Sequence, residues 1–152
     1  VLFGRSVMQP RLFAWYSDPG LSYGYSGLKM EILPWTPFLL GLKKRVEAKC
    51  KRNFNSVLLN LYRNEKDSNG WHSDDERELG PQPFIASLSL GEERDFLMKH
   101  KIDKEKKLKL SLASGSLLTM SGDSQKYWKH CLPKRSGPLG PRINLTFREI
   151  LN

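Results

Sequence analysis

Arg142-Ile143-Asn144-Leu145-Thr146-Phe147-Arg148, near the end of the sequence, decides how the rest of the chain is read. With the period of two of an extended strand, Arg142, Asn144, Thr146 and Arg148 share one face, and Ile143, Leu145 and Phe147 share the other. In a sandwich of two sheets the apolar face fills the core and the polar face meets solvent, which is the reading these seven residues favour on their own. The alternative is a polar face that lines a groove and grips a dicarboxylate, because a guanidinium fork matches a carboxylate bidentately. Asn60 and Tyr62 repeat the pattern on one face of the segment 56–62. Their amide and phenol either bond the same anion or pack with the hydroxyl at the surface.

Outward from these two segments, period-two stretches recur at 84–90, 94–99, 108–112, 116–120 and 127–132, and the last strand is expected to run over 142–150. Gly91, Gly115, Gly122 and the turn Pro138-Leu139-Gly140-Pro141 separate them. Thr36-Pro37 reads as an N-cap followed by Pro at the first helical position. Leu39, Leu42, Val46 and Cys50 then recur at helical spacing, which predicts an amphipathic helix over about 37–50. Residues 1–33, rich in Gly, Tyr and Ser, read as turns and short strands. The fold class is mainly β (α+β): a sandwich or jelly roll with one or two flanking helices, in one domain over 1–152. The Lys-rich run 99–109 is expected to be an exposed hairpin.

Composition narrows the function. With 39% hydrophobic residues the chain can bury a core, which excludes wholesale disorder. No stretch approaches the roughly 20 apolar residues of a membrane span, and no secretory h-region is visible. The sequence opens on Val1 and is expected to be a trimmed domain, so what preceded it stays open. Two cysteines, Cys50 and Cys131, suit a reducing, intracellular compartment: the nucleus in a eukaryote, the cytoplasm in a bacterium. The net charge of +9 is unevenly placed: +6 over residues 1–60, −5 over 61–98 and +8 over 99–152. Two basic arms suggest a polyanionic partner. The acidic island between them contains Trp71-His72-Ser73-Asp74-Asp75-Glu76, which suits a cation site or a solvated acidic loop.

Within that island His72 and Asp74 are two apart, so in an extended segment both point the same way. His130 lies in an expected strand, twelve residues before Arg142, while His100 sits in the Lys-rich run as a bystander. Two histidines and one carboxylate with open positions form the facial triad of non-haem Fe(II) oxygenases. A zinc hydrolase would use the same three residues but would leave Arg142 and Arg148 unexplained.

Taken together, Asn60-Leu-Tyr62, His72-Ser-Asp74-Asp75-Glu76, Ile85-Ala-Ser-Leu-Ser89, His130 and Pro141-Arg142-Ile-Asn144-Leu-Thr146-Phe-Arg148 resemble the AlkB family of Fe(II)/2-oxoglutarate-dependent nucleic-acid demethylases. The resemblance covers about residues 10–150. It implies a double-stranded β-helix over about 34–152, with a nucleotide-recognition lid over about 1–33. It implies that His72, Asp74 and His130 are the catalytic metal ligands, and that the cofactors are Fe(II), 2-oxoglutarate and O₂. Arg142, with Asn60 and Tyr62, would hold the distal carboxylate of 2-oxoglutarate; Arg148, Asn144 and Thr146 would sit towards its chelating end.

In the lid, Tyr23-Gly-Tyr25-Ser-Gly27 resembles the segment whose aromatic stacks on a flipped base. Tyr25 is expected to stack, Tyr23 to hydrogen-bond nearby, and Glu76 to read the base edge. Phe3 is the candidate for a finger that fills the gap left in a duplex. Arg11, Lys129, Lys134 and Arg135 are candidates for phosphate contacts.

The implied activity is oxidative demethylation of 1-methyladenine and 3-methylcytosine type bases in DNA, with release of formaldehyde, succinate and CO₂. The partner would be alkylated single- or double-stranded DNA, with RNA as an alternative, no membrane, and a monomeric protein. An oxygenase acting on a protein or small molecule, and a damaged-DNA binding module without catalysis, are the other classes. DNA versus RNA stays open at this level, as does the range of lesions, etheno adducts included.

Overall fold

The computed structural model describes residues 10–21, 24–25, 28–29 and 31–151, with only the backbone of 24–25 and 28–29. In chain order the strands are β1 (Leu12–Ser17), β2 (Gly24–Tyr25), β3 (Leu28–Lys29), β4 (Ile32–Leu33), β5 (Ser56–Tyr62), β6 (Asn69–His72), β7 (Ile85–Gly91), β8 (Arg94–His100), β9 (Lys107–Leu112), β10 (Leu117–Met120), β11 (Trp128–Leu132) and β12 (Arg142–Arg148). The helices are α1 (Pro37–Cys50) and the single turn α2 (Ser124–Tyr127).

Helix α1 starts where the Thr36-Pro37 pair predicts. The Thr36 hydroxyl accepts from the Leu39 N–H at 3.2 Å, and Pro37 occupies the first turn, whose N–H groups have no helical partner. It ends at Lys51, which adopts a left-handed conformation. Leu39 and Val46 are buried, with Leu42 and Cys50 packed beside them.

Two sheets stack. The larger runs β10-β7-β12-β5-β1-β4, and the smaller runs β6-β11-β8-β9. This is the two-sheet architecture of a jelly roll, and β12 lies at its centre, antiparallel to both β5 and β7. The main apolar core is not between the sheets. Leu145 and Phe147 of β12 join Val57 of β5 and Ala86 of β7 on the outer face of the larger sheet, where Leu39 and Val46 of α1 cover them. Phe147 has no exposed surface, so truncating it to Ala would cost about 3–5 kcal/mol. A second cluster, Ile85, Phe96, Met98, Leu112 and Met120, closes one side of the space between the sheets.

This arrangement overturns the solvent reading of the final strand. Arg142, Asn144, Thr146 and Arg148 are all buried and face the space between the sheets, while Ile143 is 39% exposed. The alternation is as expected, but the helix takes the apolar face and frees the inner face for polar groups. Tyr62 is likewise buried at 3%, not a surface tyrosine. Strand β12 stops at Arg148 rather than Ile150, because the Asn55 side chain bonds both the N–H and the carbonyl of Ile150, at 2.7 and 2.8 Å, and draws the chain out of the ladder.

Two other segments differ from expectation, while the Lys-rich run forms the hairpin expected of it. Strand β1 pairs with β5 over six residues and is integral to the larger sheet, so the segment expected to be lid contains core structure. Its Trp15 is buried against Leu58, which a reading of the Gly/Tyr/Ser-rich composition missed. Tyr127 ends α2 instead of starting a strand. The Lys-rich run is the β8–β9 hairpin, and His100 staples its turn by accepting from the N–H groups of Ile102 and Asp103. Among the described residues no helix is long and apolar enough to cross a membrane.

Candidate active site

Between the two sheets lies a small solvent-connected cavity of about 40 Å³. Its walls come from the inner faces of β5, β12, β11 and β6, and include Asn60, Tyr62, His72, Asp74, His130, Arg142, Asn144, Thr146 and Arg148. Every metal-binding and 2-oxoglutarate-binding residue expected from the sequence therefore meets in one place.

The metal end is assembled across the β6–β11 ladder, where His72 and His130 are direct cross-strand partners. Their rings lie 4.2 Å apart edge to face, and Asp74 follows just beyond β6. Asp74 Oδ1 lies 3.5 Å from His72 Nε2 and 4.0 Å from His130 Nε2. His72 Nδ1 is 2.8 Å from the Gly70 carbonyl, which can only accept, so that nitrogen carries the proton and Nε2 keeps its lone pair for a ligand.

Burial by itself would raise the Asp74 carboxyl, but the Arg148 guanidinium, with His72 and His130, holds it well below the usual carboxylate range. Burial pushes His130 down to about 4, with His72 and Arg148 adding to the fall and only Asp74 opposing it, so the imidazole is neutral near pH 7. Asp74 Oδ1 is buried without a hydrogen-bond partner. One anionic oxygen and two imidazole nitrogens, all within 4.8 Å of one another, fit a divalent ion.

The other end is built for an anion. Arg142 is buried, and burial lowers its pKa against the pull of Tyr62. It donates to Ser89 at 2.9 Å and lies over the Tyr62 ring at 5.4 Å. Among the described residues no carboxylate lies within ion-pair distance of it, which fits a ligand that brings one. Between the ends, Thr146 donates to Asn144 Oδ1 at 2.8 Å, and Asn144 donates to the Ser87 hydroxyl, leaving the polar strand face aligned by its neighbours.

Gly91 shapes this corner. Its φ is +88°, and a Cβ there would run into the Pro141 carbonyl oxygen beside Arg142.

Several expected contacts fall elsewhere. Arg11, a phosphate candidate in the sequence, is buried and donates from Nε to Asn60 Oδ1 at 2.6 Å, so it lines the cavity instead of meeting a nucleic-acid backbone. Its place immediately before β1, which pairs with β5, brings it to Asn60 and explains the difference. Glu76 is half-buried at the head of the 3-10 turn Arg77–Leu79 and is not among the residues lining the cavity. Lys129 and Lys134 are exposed, whereas Arg135 is held by Asp95 at 2.7 Å. Phe3, Tyr23 and the Tyr25 side chain lie outside the described residues.

The sequence reading also missed residues. Ser87 and Ser89 alternate along β7, a spacing that could have marked them as partners of β12. Gln125, whose Oε1 accepts from the Asp74 N–H at 2.9 Å, carries no such signal.

The profile of the 2OG-Fe(II) oxygenase superfamily matches residues 4–148. The chain is 49% identical over 154 residues to the alpha-ketoglutarate-dependent dioxygenase alkB homolog 3 of Bos taurus, a match over 95% of this chain and 53% of that protein. It is 43% identical over 157 residues to the DNA oxidative demethylase ALKBH2 of Homo sapiens, over 99% of this chain and 60% of that protein. The chain thus spans about half the length of the curated relatives it matches. The solved structure of OsALKBH1 superposes with a TM-score of 0.64 at 21% identity, over 95% of this chain and 82% of that one, and shares the fold. With a His/Asp/His cluster, a carboxylate-seeking arginine and this sequence match in one cavity, the chain belongs to the 2OG-Fe(II) oxygenase superfamily, in its AlkB family.

Proposed function

We propose that this chain is the catalytic domain of an oxidative demethylase that removes N-methyl groups from nucleobases in DNA. The observation that carries the reading is the inward polar face of β12, which joins an anion-binding Arg142 to an Arg148 that holds the metal-ligand Asp74. Bound iron, with 2-oxoglutarate and O₂ as co-substrates, supplies oxidation of the N-methyl carbon. The products are formaldehyde, the restored base, succinate and CO₂.

The residues of the chain supply position. His72, Asp74 and His130 would hold the metal. Arg148 occupies Asp74 Oδ2 and so presents Oδ1 to the metal. Arg142, with Tyr62 and Asn60, anchors the distal carboxylate of 2-oxoglutarate, while Ser89 keeps Arg142 in place. Leu58, Phe96, Met120 and Leu132 give the rest of the cavity an apolar wall.

A nucleic-acid substrate is supported by the likeness to ALKBH2, a DNA oxidative demethylase, and by the two basic arms of the chain. Bases methylated on the Watson–Crick edge pair badly, so extruding them into a cavity costs less than extruding a normal base. The protein acts as a monomer within the cell, where its two free cysteines stay reduced.

The test is formaldehyde release from single-stranded DNA, duplex DNA and RNA carrying the same 1-methyladenine, at stated salt. Release from DNA with dependence on 2-oxoglutarate is the expected result. Release from RNA alone would move the substrate class, and uncoupled succinate formation with no oligonucleotide turnover would overturn the nucleic-acid reading.

A further inference from the structure

Behind the anion end of the cavity lies a second buried guanidinium that the reaction described above does not use. Arg94, on β8, is 1% exposed. Its Nη1 donates to the Asn64 carbonyl at 3.3 Å, and its Nη2 donates to the carbonyls of Asp67 and Pro133 at 3.0 and 2.7 Å. Asn64 and Asp67 belong to the connection between Tyr62 and β6, and Pro133 follows β11. One side chain thus ties the segment leaving Tyr62 to the segment leaving the His130 strand.

All three bonds go to neutral carbonyls, and among the described residues no carboxylate lies within ion-pair distance of Arg94. Both nearby acids are engaged elsewhere. Asp67 takes three hydrogen bonds from Arg63, and Asp95 is held by Arg135 and Lys109. Arg94 also lies over the Tyr62 ring, 5.9 Å from its centroid, and Arg142 lies over the same ring at 5.4 Å. Two buried cations without carboxylates therefore meet at one phenol, an arrangement that costs free energy until an anion arrives.

We propose that Arg94 is a positioning residue for the distal-carboxylate end of the cavity: by holding Tyr62 against Arg142 and adding a second positive charge behind it, Arg94 sets the preference for a dicarboxylate over a monocarboxylate. The inference rests on the reading of this cavity as a 2-oxoglutarate site. A clamp that served only to hold loops together would leave that preference unchanged, because its loss would loosen the whole cavity for any ligand.

The experiment compares two 2-oxo acids of equal length, 2-oxoglutarate and 2-oxopentanoate, which differ only in the distal carboxylate. Each is titrated calorimetrically into the chain loaded with Mn(II) in place of iron, so no turnover is needed. The unsubstituted protein is expected to bind 2-oxoglutarate more tightly than 2-oxopentanoate. Arg94→Met is expected to weaken 2-oxoglutarate roughly tenfold, the scale of one charge acting at a distance in a partly buried site, and to leave 2-oxopentanoate within about twofold. Arg94→Lys, which keeps the charge, is expected to restore part of the preference.

If Arg94→Met does not fold, Arg94→Lys carries the test, with a smaller but still selective loss expected because its ammonium cannot span three carbonyls. Equal weakening of both ligands, or no weakening of either, would overturn the proposal. Absence of any dicarboxylate preference in the unsubstituted protein would overturn the 2-oxoglutarate site itself, a distinguishable failure.

Discussion

Arg148 donates from Nη2 to Asp74 Oδ2 at 2.7 Å, across 74 residues of sequence, and both side chains are buried. The contact neutralises the carboxylate on the side away from the histidines, so Asp74 stays ionised in a site that would otherwise favour its protonated form. Removing the guanidinium would leave a buried carboxylate facing two imidazoles and no counter-charge. Arg148→Met is therefore expected to lower Mn(II) affinity about 10- to 100-fold, the range found when groups that orient metal ligands are lost. Calorimetric titration with Mn(II) measures it, and unchanged affinity would contradict the role.

His72 is the most exposed of the three ligands, with a quarter of its side chain accessible, so its loss should spare the fold. His72→Ala is expected to abolish formaldehyde release while leaving the unfolding temperature and oligonucleotide affinity nearly unchanged. Retained 2-oxoglutarate-dependent release by this variant would sink the assignment of the metal site.

Loss of Arg142 removes the partner of the distal carboxylate but none of the metal ligands. Arg142→Ala is expected to raise the KM for 2-oxoglutarate by at least about tenfold, in keeping with a lost charge-assisted pair, with a far smaller effect on metal affinity. A KM for 2-oxoglutarate equal to that of the unsubstituted protein would remove Arg142 from the cofactor site. Ser89→Ala, which takes away only the 2.9 Å hydrogen bond to Arg142, should shift the same constant in the same direction by a few-fold.

Acid should destabilise the metal-free protein. His130 titrates at about 4 in the folded chain and near 6.5 in an unfolded one. Above that window both states are neutral at this residue. Between about 6.5 and 4 the unfolded chain takes up a proton that the folded chain refuses, so stability falls as pH falls, by up to about 3 kcal/mol. Asp74, held below its ordinary range, adds a further loss only once the pH drops through the usual carboxylate range. Thermal unfolding in chelator from pH 7.5 to 4.5 measures the slope, and His130→Gln should flatten it above pH 5.

Gly91 is the backbone position at which the anion end is most sensitive. Gly91→Ala would place a Cβ against the Pro141 carbonyl at a φ of +88°. The expected cost is about 2 kcal/mol or more, seen as a lower unfolding temperature, accompanied by weaker 2-oxoglutarate binding as Arg142 shifts.

The meeting of these residues in one cavity was legible because they sit on strands of plain period two: Asn60 and Tyr62 on β5, and four polar residues on β12. The metal triad needed only H-x-D spacing and one more histidine. What that period cannot state is which face of a strand looks inward. The outcome depended on α1 covering Leu145 and Phe147 from outside, a contact between residues about a hundred positions apart. Arg11 was misplaced for the same reason: a basic residue in a polar, Gly-rich segment reads as surface until β1 pairs with β5 and turns it towards Asn60. Ser87, Ser89, Gln125 and Arg94 act through bonds to other side chains and to carbonyls, and a single sequence does not show such second partners.

The placement of the main apolar cluster on the outer face of the larger sheet separates the parts of the chain that hold it folded from the parts that react. Leu39, Val46, Val57, Leu145 and Phe147 can keep the β12 backbone fixed whatever projects from its other side. The β12 backbone therefore keeps its outer support when a polar residue on its inner face changes. Related chains could exchange one oxidisable substrate for another by altering the inner face alone, with the helix and its sheet left as an unchanging chassis.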